Sequence, residues 1–117
     1  MNTANIHIAS TPEALKEKLN GLQDIAQLHV LNTTIWEMRH SGSGQFYELS
    51  LEALEIARNQ IENISVKDLA QAYLNLGNTA WNRSLPDTAF DALQRSQRLF
   101  RSVGDLGKAA FAEAVMA

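Results

Sequence analysis

The chain contains no cysteine, which excludes thiolate metal sites and cysteine nucleophiles. The first candidates for chemistry are its histidines and its runs of glutamate and arginine. His7, His29 and His40 are separated by 22 and 11 residues, whereas a helical zinc site needs two histidines four residues apart. A phosphotransfer role for His40 is also disfavoured, since Ser41-Gly42 ends the predicted helix directly after it. We therefore predict no metal site and no cofactor.

Charged side chains recur at helical spacing in two places. The acidic stripe consists of Glu48, Glu52 and Glu55, and the basic stripe consists of Arg95, Arg98 and Arg101. No catalytic partner or phosphate-binding loop accompanies the carboxylates, so we expect a solvated face and no enzyme. We expect the two stripes to face each other between neighbouring helices. The alternative use of the arginines, an anion or nucleic-acid patch, is disfavoured by the net charge of −3.

The composition is that of one globular domain. The chain has 117 residues, of which 45% are hydrophobic and 20% charged, with only six glycines and two prolines. Long stretches free of both glycine and proline favour an all-α fold. We find no apolar run of the roughly 18 residues that a membrane span needs and no export signal, so we expect a cytoplasmic protein without a membrane partner.

Turn residues divide the chain into short segments. Ser10-Thr11-Pro12-Glu13 predicts a helix start with Ser10 as its cap, and Ser41–Gly44 marks a loop. The predicted segments are a flexible N-terminus over 1–10, a lead-in helix over 11–20, a hairpin over 22–63, a second hairpin over 66–103, and a half hairpin over 106–117. We predict that residues 11–117 form a single domain.

The chain also repeats itself. Asp24-Ile25-Ala26-Gln27 recurs 44 residues later as Asp68-Leu69-Ala70-Gln71. The second helices align at an offset of 39, with Leu54 on Leu93, and a partial third copy aligns at 40. The difference between the first two offsets is assigned to the loop around Ser41–Gly44. Three copies at this period predict a stack of helical hairpins.

The second copy carries a pattern of large and small residues across two helices. The matching residues are Tyr73, Leu76, Gly77, Ala80-Trp81, Ala89 and Leu93. This pattern resembles the tetratricopeptide repeat (TPR), in which small residues at the places of Gly77 and Ala89 let two helices cross closely. The resemblance covers residues 22–117. It implies an all-α, TPR-like fold of about five or six helices, with antiparallel hairpins stacked as a short right-handed superhelix.

The resemblance also implies a function. It suggests a non-enzymatic module that binds a protein or peptide, of the style found in N-terminal regulatory domains of bacterial signalling proteins. The first helix of each hairpin would line a groove, and the implied groove residues are Gln27, Val30, Thr34, Glu37, Gln71, Leu74, Asn78, Trp81 and Asn82. The alternatives are that the amides are merely solvated and that Trp81 is core. His29 aligns with Tyr73 and is expected in the hairpin core.

The last predicted helix is apolar on most of its sides. Phe111, Val115 and Met116 are the large residues of this segment, and terminal repeats normally present a polar outer face. We therefore expect this helix to be covered, either by a continuing chain or by a second copy in a homodimer. Two competing functions stay open at this point, a self-association module and a ligand-sensing helical bundle.

Overall fold

Six α-helices follow one another in residues 10–117, the part of the chain that this computed structural model describes. The helices are α1 (Pro12–Leu19), α2 (Asp24–Glu37), α3 (Tyr47–Asn59), α4 (Val66–Asn82), α5 (Pro86–Ser102) and α6 (Leu106–Met116), with a 3₁₀ turn over Ser43–Phe46 before α3. This confirms the all-α prediction of five or six helices. None of the helices in this part is long and apolar enough to cross a membrane.

The helix starts show where local sequence fixes the boundaries. The predicted cap is wrong by one residue, because the Thr11 hydroxyl, not that of Ser10, accepts from the Ala14 amide at 3.1 Å. At the start of α4, the Ser65 hydroxyl and the Asp68 carboxylate each accept the other's backbone N–H, which forms a capping box. Except for Ser10, the predicted flexible N-terminus lies outside the described residues.

The crossing of α4 and α5 depends on a glycine, Gly77, at the point of closest approach. A Cβ atom added to Gly77 would lie 2.4 Å from Cγ of Leu93 and 3.3 Å from the carbonyl oxygen of Ala89. Ala89 and Leu93 are both fully buried. The two helices can therefore approach closely only because Gly77 has no side chain.

Two apolar clusters share α4 between them. The first packs α1, α2 and α3 against Ala72 and Leu76, and the second packs α5 and α6 against Ala70, Leu74 and Ala80. Because α4 is covered on both sides, its polar residues are buried as well. The buried polar residues of α4 are Gln71, Asn75, Asn78 and Thr79.

The second helices of the two hairpins align at the predicted offset of 39, except that Ile61 lies after the end of α3 and is exposed while its counterpart Phe100 is buried. Ser50, Ala53, Leu54 and Ala57 of α3 are buried, and so are the residues 39 positions later in α5, which are Ala89, Ala92, Leu93 and Ser96. Each helix also places a small hydroxyl against α4. Ser50 Oγ accepts from Thr79 Oγ1 at 3.1 Å, and Ser96 Oγ donates to the carbonyl of Ala70 at 3.0 Å.

The first helices, in contrast, do not align at the predicted offset of 44. The caps that begin α2 and α4 are Gln23 and Ser65, which are 42 residues apart. An error of two residues rotates a helix by about 200°, so it exchanges the inner and outer faces. His29 shows the consequence. Its side chain is 56% exposed and lies 3.5 Å from Asp68, so the predicted core position for His29 is wrong.

The expected pairing of the two charged stripes is also wrong. Glu48 pairs with Arg83 at 2.9 Å, Arg95 with Asp91 of its own helix at 3.2 Å, and Arg101 with Glu113 of α6 at 2.6 Å. The hydrogen bond from Arg83 lowers the pKa of Glu48. These pairs are exposed and none of them joins α3 to α5, so the stacking of those two helices depends on the apolar clusters instead.

We predict that Gly77→Ala lowers the free energy of unfolding by about 1 to 2 kcal/mol, because the added methyl overpacks the crossing with Leu93 by more than the gain in helix propensity. Gly107→Ala is the matched control, since a Cβ there meets only Asp105 Oδ1 at 3.8 Å. Urea denaturation measures both variants. A Gly77→Ala protein at least as stable as the Gly107→Ala protein would contradict the close crossing.

Candidate functional site

The first helices of the hairpins, α2 and α4, and the last helix, α6, enclose a groove that we call the helix groove. Trp36 of α2 and Phe111 of α6 meet above α4, with ring centres 4.9 Å apart and planes at 71°. This contact divides the helix groove into two cavities. We call them the N-terminal pocket and the C-terminal pocket, after the end of α4 at which each lies.

The N-terminal pocket has a volume of about 370 Å³ and mixed charge. Its charged and titratable lining residues are His29, Glu37, Lys67, Asp68, Asp105 and Lys108, and its other lining residues are Asn32, Thr33, Trp36, Gln71 and Phe100. Titratable groups come from α2 and α4, and Asp105 and Lys108 add one acidic and one basic group at the start of α6. Its chemistry therefore favours no single sign of charge in a ligand.

Lys108 contacts three other lining residues of the N-terminal pocket. Its ammonium group donates a hydrogen bond to Gln71 Oε1 and lies 5.0 Å from the centre of the Trp36 ring and 5.6 Å from that of Phe100. Burial lowers the pKa of Lys108, and Lys67 and Arg39 lower it further, while Asp105 acts against them. Lys108 therefore links α6 to both α4 and α2 at some electrostatic cost.

Asn32 ties α2 to the start of α4 below this pocket. Its Nδ2 donates to the backbone carbonyl of Asp68 at 3.0 Å, and the backbone carbonyl of Asn32 accepts from Asn75 Nδ2 at 3.0 Å. The side chain is buried, and its Oδ1 has no hydrogen-bond partner among residues 10–117. Asn75 also accepts from Gln71 Nε2 at 3.0 Å, so the four residues form a connected chain of bonds from α2 to α4.

The C-terminal pocket is larger, at about 590 Å³, and its lining is both polar and apolar. It is lined by Arg39, His40, Gly42, Ser43, Asn78, Trp81, Asn82, Phe111, Ala114, Val115 and Ala117. Trp81 is 47% exposed, so the alternative that it belongs to the core is wrong. Among the lining side chains of the described residues, two are basic and none is a carboxylate.

The amide side chains of Asn78 and Asn82 line one side of the C-terminal pocket. Asn78 Nδ2 donates to the carbonyl of Arg39 at 3.2 Å, and both Asn78 and Asn82 direct Nδ2 at the hydroxyl of Ser43. Asn82 also donates to the carbonyl of Asn78 at 2.9 Å. These amides are therefore engaged inside the protein and hold the loop after α2 against the end of α4.

Arg39 is positioned by the same loop. Its guanidinium lies 4.1 Å from the centre of the Trp36 ring, and Nη1 donates to the Trp36 carbonyl at 3.0 Å. Its buried Nε has no hydrogen-bond partner within residues 10–117. The stacking holds the guanidinium against Trp36, and Arg39 is one of the residues that line the C-terminal pocket.

The structure places five of the predicted groove residues around the two pockets. Glu37 and Gln71 line the N-terminal pocket, and Asn78, Trp81 and Asn82 line the C-terminal pocket. Gln71 and Asn78 are buried, however, and donate to neighbours inside the protein. They can shape the groove but offer little surface to a partner.

The remaining predicted groove residues require correction. Leu74 is fully buried and Thr34 is buried in α2. Val30 packs against the first apolar cluster, and Gln27 donates to the carbonyl of Leu19, on the side of α1. The error in α2 follows from the offset of 44, which turned its inner face outward.

Sequence reasoning missed the most prominent contributors to the groove. They are Trp36, Arg39, His40 and Lys108. At the structural offset of 42, Trp36 aligns with Asn78 and His40 with Asn82, but Gln23 makes no side-chain cap hydrogen bond that would have indicated this offset.

The face of α6 that we expected to be covered is largely covered within the protein. Phe111, Val115 and Met116 are half-buried and pack against the second apolar cluster. The exposed side of α6 instead carries Leu106 and the small residue Ala110. These three residues therefore pack partly inside the protein, and their use as a contact face of α6 stays a prediction.

We predict that Asn75→Ala lowers the free energy of unfolding by about 1 to 3 kcal/mol, because it leaves the buried carbonyl of Asn32 and the amide of Gln71 without their bonds. Asn63→Ala is the control, since the Asn63 side chain bonds only to Gln60 at the surface. Urea denaturation with both variants is the measurement. Equal stability of the two variants would show that the bonds between α2 and α4 contribute little.

We predict a pH signature for Lys108. Its pKa in the folded protein is below the ordinary 10.5, so the folded state binds this proton less tightly than the unfolded state. The wild type should therefore gain stability relative to Lys108→Met as the pH rises toward 10.5. Urea denaturation of both proteins at pH 7 and pH 10 measures this difference. A difference that is constant, or that changes in the opposite direction, would contradict the burial of the charge.

The helix groove offers aromatic, amide and basic side chains that can bind a ligand. Within the described residues, we find no group of three or more His, Asp or Glu side chains that could hold a metal ion. Comparison of the chain with models of protein families, with curated proteins and with solved structures found no match.

Proposed function

We propose that this chain is a non-enzymatic module that binds a segment of another protein in the helix groove. The observation that carries the proposal is the C-terminal pocket, where Trp81 stands half exposed beside Phe111 and Val115. A large aromatic side chain at the edge of a partly apolar cavity is a common anchor in protein recognition. Trp36 and Trp81, the two tryptophans of the chain, both lie in the groove.

The shape of the groove suits an extended segment better than a compact ligand. The two pockets lie toward opposite ends of α4, whose 17 residues span about 25 Å. An extended peptide covers that distance with about seven or eight residues, at roughly 3.3 Å each. A small molecule would occupy only one of the two pockets, whereas a peptide can use both and cross the Trp36–Phe111 contact between them.

The hairpin crossing supports the TPR-like part of the proposal. Gly77 and Ala89 provide the close approach that the repeat pattern requires, and Ser50 occupies the place of Ala89 in the preceding hairpin. On this basis we propose that the hairpins are TPR-type repeats. The module would then act in the cytoplasm as the regulatory part of a larger bacterial signalling protein, by capturing a partner in the groove.

We predict that Trp81→Ala weakens peptide binding by at least tenfold, because it removes the apolar anchor of the C-terminal pocket. Peptides selected on the wild-type chain from a random nine-residue display library are the probes, and fluorescence anisotropy measures their affinity. Phe90→Ala is the matched control, since Phe90 is 49% exposed on α5 and lines neither pocket.

The outcome separates groove binding from binding elsewhere. A peptide that uses the groove should lose affinity with Trp81→Ala and keep it with Phe90→Ala. The fluorescence of Trp36 and Trp81 should also shift when the peptide binds, since both rings lie in the groove. Selected peptides that respond to Phe90→Ala instead, or to neither variant, would overturn the proposal.

A further inference from the structure

We infer that the C-terminal pocket selects a partner segment in which a carboxylate side chain stands next to a large apolar side chain. The inference rests on the proposed function, because it names the chemistry of the segment that the groove would hold. The charge of the pocket and its apolar lining are separate observations, and both point to this occupant.

The lining of the pocket includes the positive charge of Arg39 and no acidic side chain of the described residues. Arg39 and His40 line it, while no Asp or Glu side chain does within the described residues. The arginines that form ion pairs in this part of the chain are Arg83, Arg95 and Arg101. Arg39 forms none there, although the whole chain has a net charge of −3. A carboxylate from a partner would supply the missing counter-charge.

The position of Arg39 makes it suited to this role. Stacking on Trp36 and the bond to the Trp36 carbonyl hold the guanidinium in place before any ligand arrives. Nε is buried, so the N–H groups of Nη1 and Nη2 that do not bond to Trp36 are the ones left to donate to a carboxylate, with little loss of side-chain entropy. His40 is exposed next to it, with its ring 6.5 Å from that of Phe111, and adds a second donor.

The apolar part of the pocket lies beside these basic groups. Trp81, Phe111 and Val115 line the same cavity as Arg39 and His40, and Ala114 leaves room between them. A Leu, Phe or Trp side chain of the partner would cover the exposed ring of Trp81. Since both surfaces belong to one cavity, the carboxylate and the apolar side chain must be neighbours in the bound segment.

The N-terminal pocket does not share this preference. It contains Glu37, Asp68 and Asp105 together with Lys67 and Lys108, so attraction and repulsion oppose each other for any charged side chain. We therefore assign the selection of sequence to the C-terminal pocket. The N-terminal pocket would accept the continuing backbone of the segment with little preference for its charge.

The test begins with the random nine-residue peptide library, selected on the wild-type chain. We expect the selected peptides to be enriched in Asp or Glu next to Leu, Phe or Trp, and to lose affinity with Trp81→Ala. Replacing the acidic residue of the best peptide by its amide should weaken binding by at least tenfold. Binding of the acidic peptide should also weaken as the NaCl concentration rises.

A second test introduces a negative charge at the surface of the C-terminal pocket. His40→Glu should weaken the acidic peptide by about tenfold and strengthen its lysine counterpart, whereas Arg98→Gln, an exposed change on α5, should alter neither. The His40 side chain is exposed, so this variant should fold.

The outcomes distinguish this inference from the proposed function. Peptides that depend on Trp81 but lack acidic residues, or that bind equally well as amides, would overturn the acidic preference and leave groove binding standing. Peptides that do not depend on Trp81, or a library that yields no binder, would overturn both.

Discussion

The whole arrangement depends on one constraint, the burial of a helix that carries polar side chains. Helix α4 is covered by both apolar clusters, so Gln71, Asn75, Asn78 and Thr79 need hydrogen-bond partners inside the protein. Asn75 finds its partner on α2, Asn78 on the loop after α2, and Thr79 on α3. These bonds set how α2 lies along α4, which apolar packing alone would leave free to slide. The position of α2, and with it the shape of the helix groove, therefore follows from the hydrogen bonds that the buried polar side chains of α4 require.

That dependence explains which parts of the fold the sequence could predict. The boundaries of α4 and α5 follow from local signals, such as the pair Ser65 and Asp68 and the proline at the start of α5. The crossing at Gly77 and Ala89 follows from residue size, and so does the alignment of α3 on α5. Each of these features is decided by residues close in sequence or by a single well-formed pattern, so they could be predicted without knowledge of the packing.

The position of α2 could not be predicted in this way. Its similarity to α4 is strongest at Asp24-Ile25-Ala26-Gln27, yet matching those letters turns the helix by about half a revolution. Gln23 begins α2 without a side-chain hydrogen bond, so its cap carries no clear local signal. The bonds that do fix α2 join residues more than 35 positions apart. Trp36, Arg39 and His40 were missed for this reason, and Thr34 and Val30 were placed in the groove in error.

The groove also owes its form to a helix outside the two complete hairpins. Phe111 and Lys108 of α6 both contact Trp36 of α2, although α4 lies between the two helices. Both pockets therefore have walls from α6, and a segment bound across them would contact all three helices at once. The aromatic contact stabilises the docking of α6 against α2, whereas burial of the Lys108 charge destabilises it. The crossing at Gly77 has no such opposing contribution from a buried charge. A ligand that fills the C-terminal pocket adds contacts to Phe111 and Val115, so binding and the docking of α6 should stabilise each other.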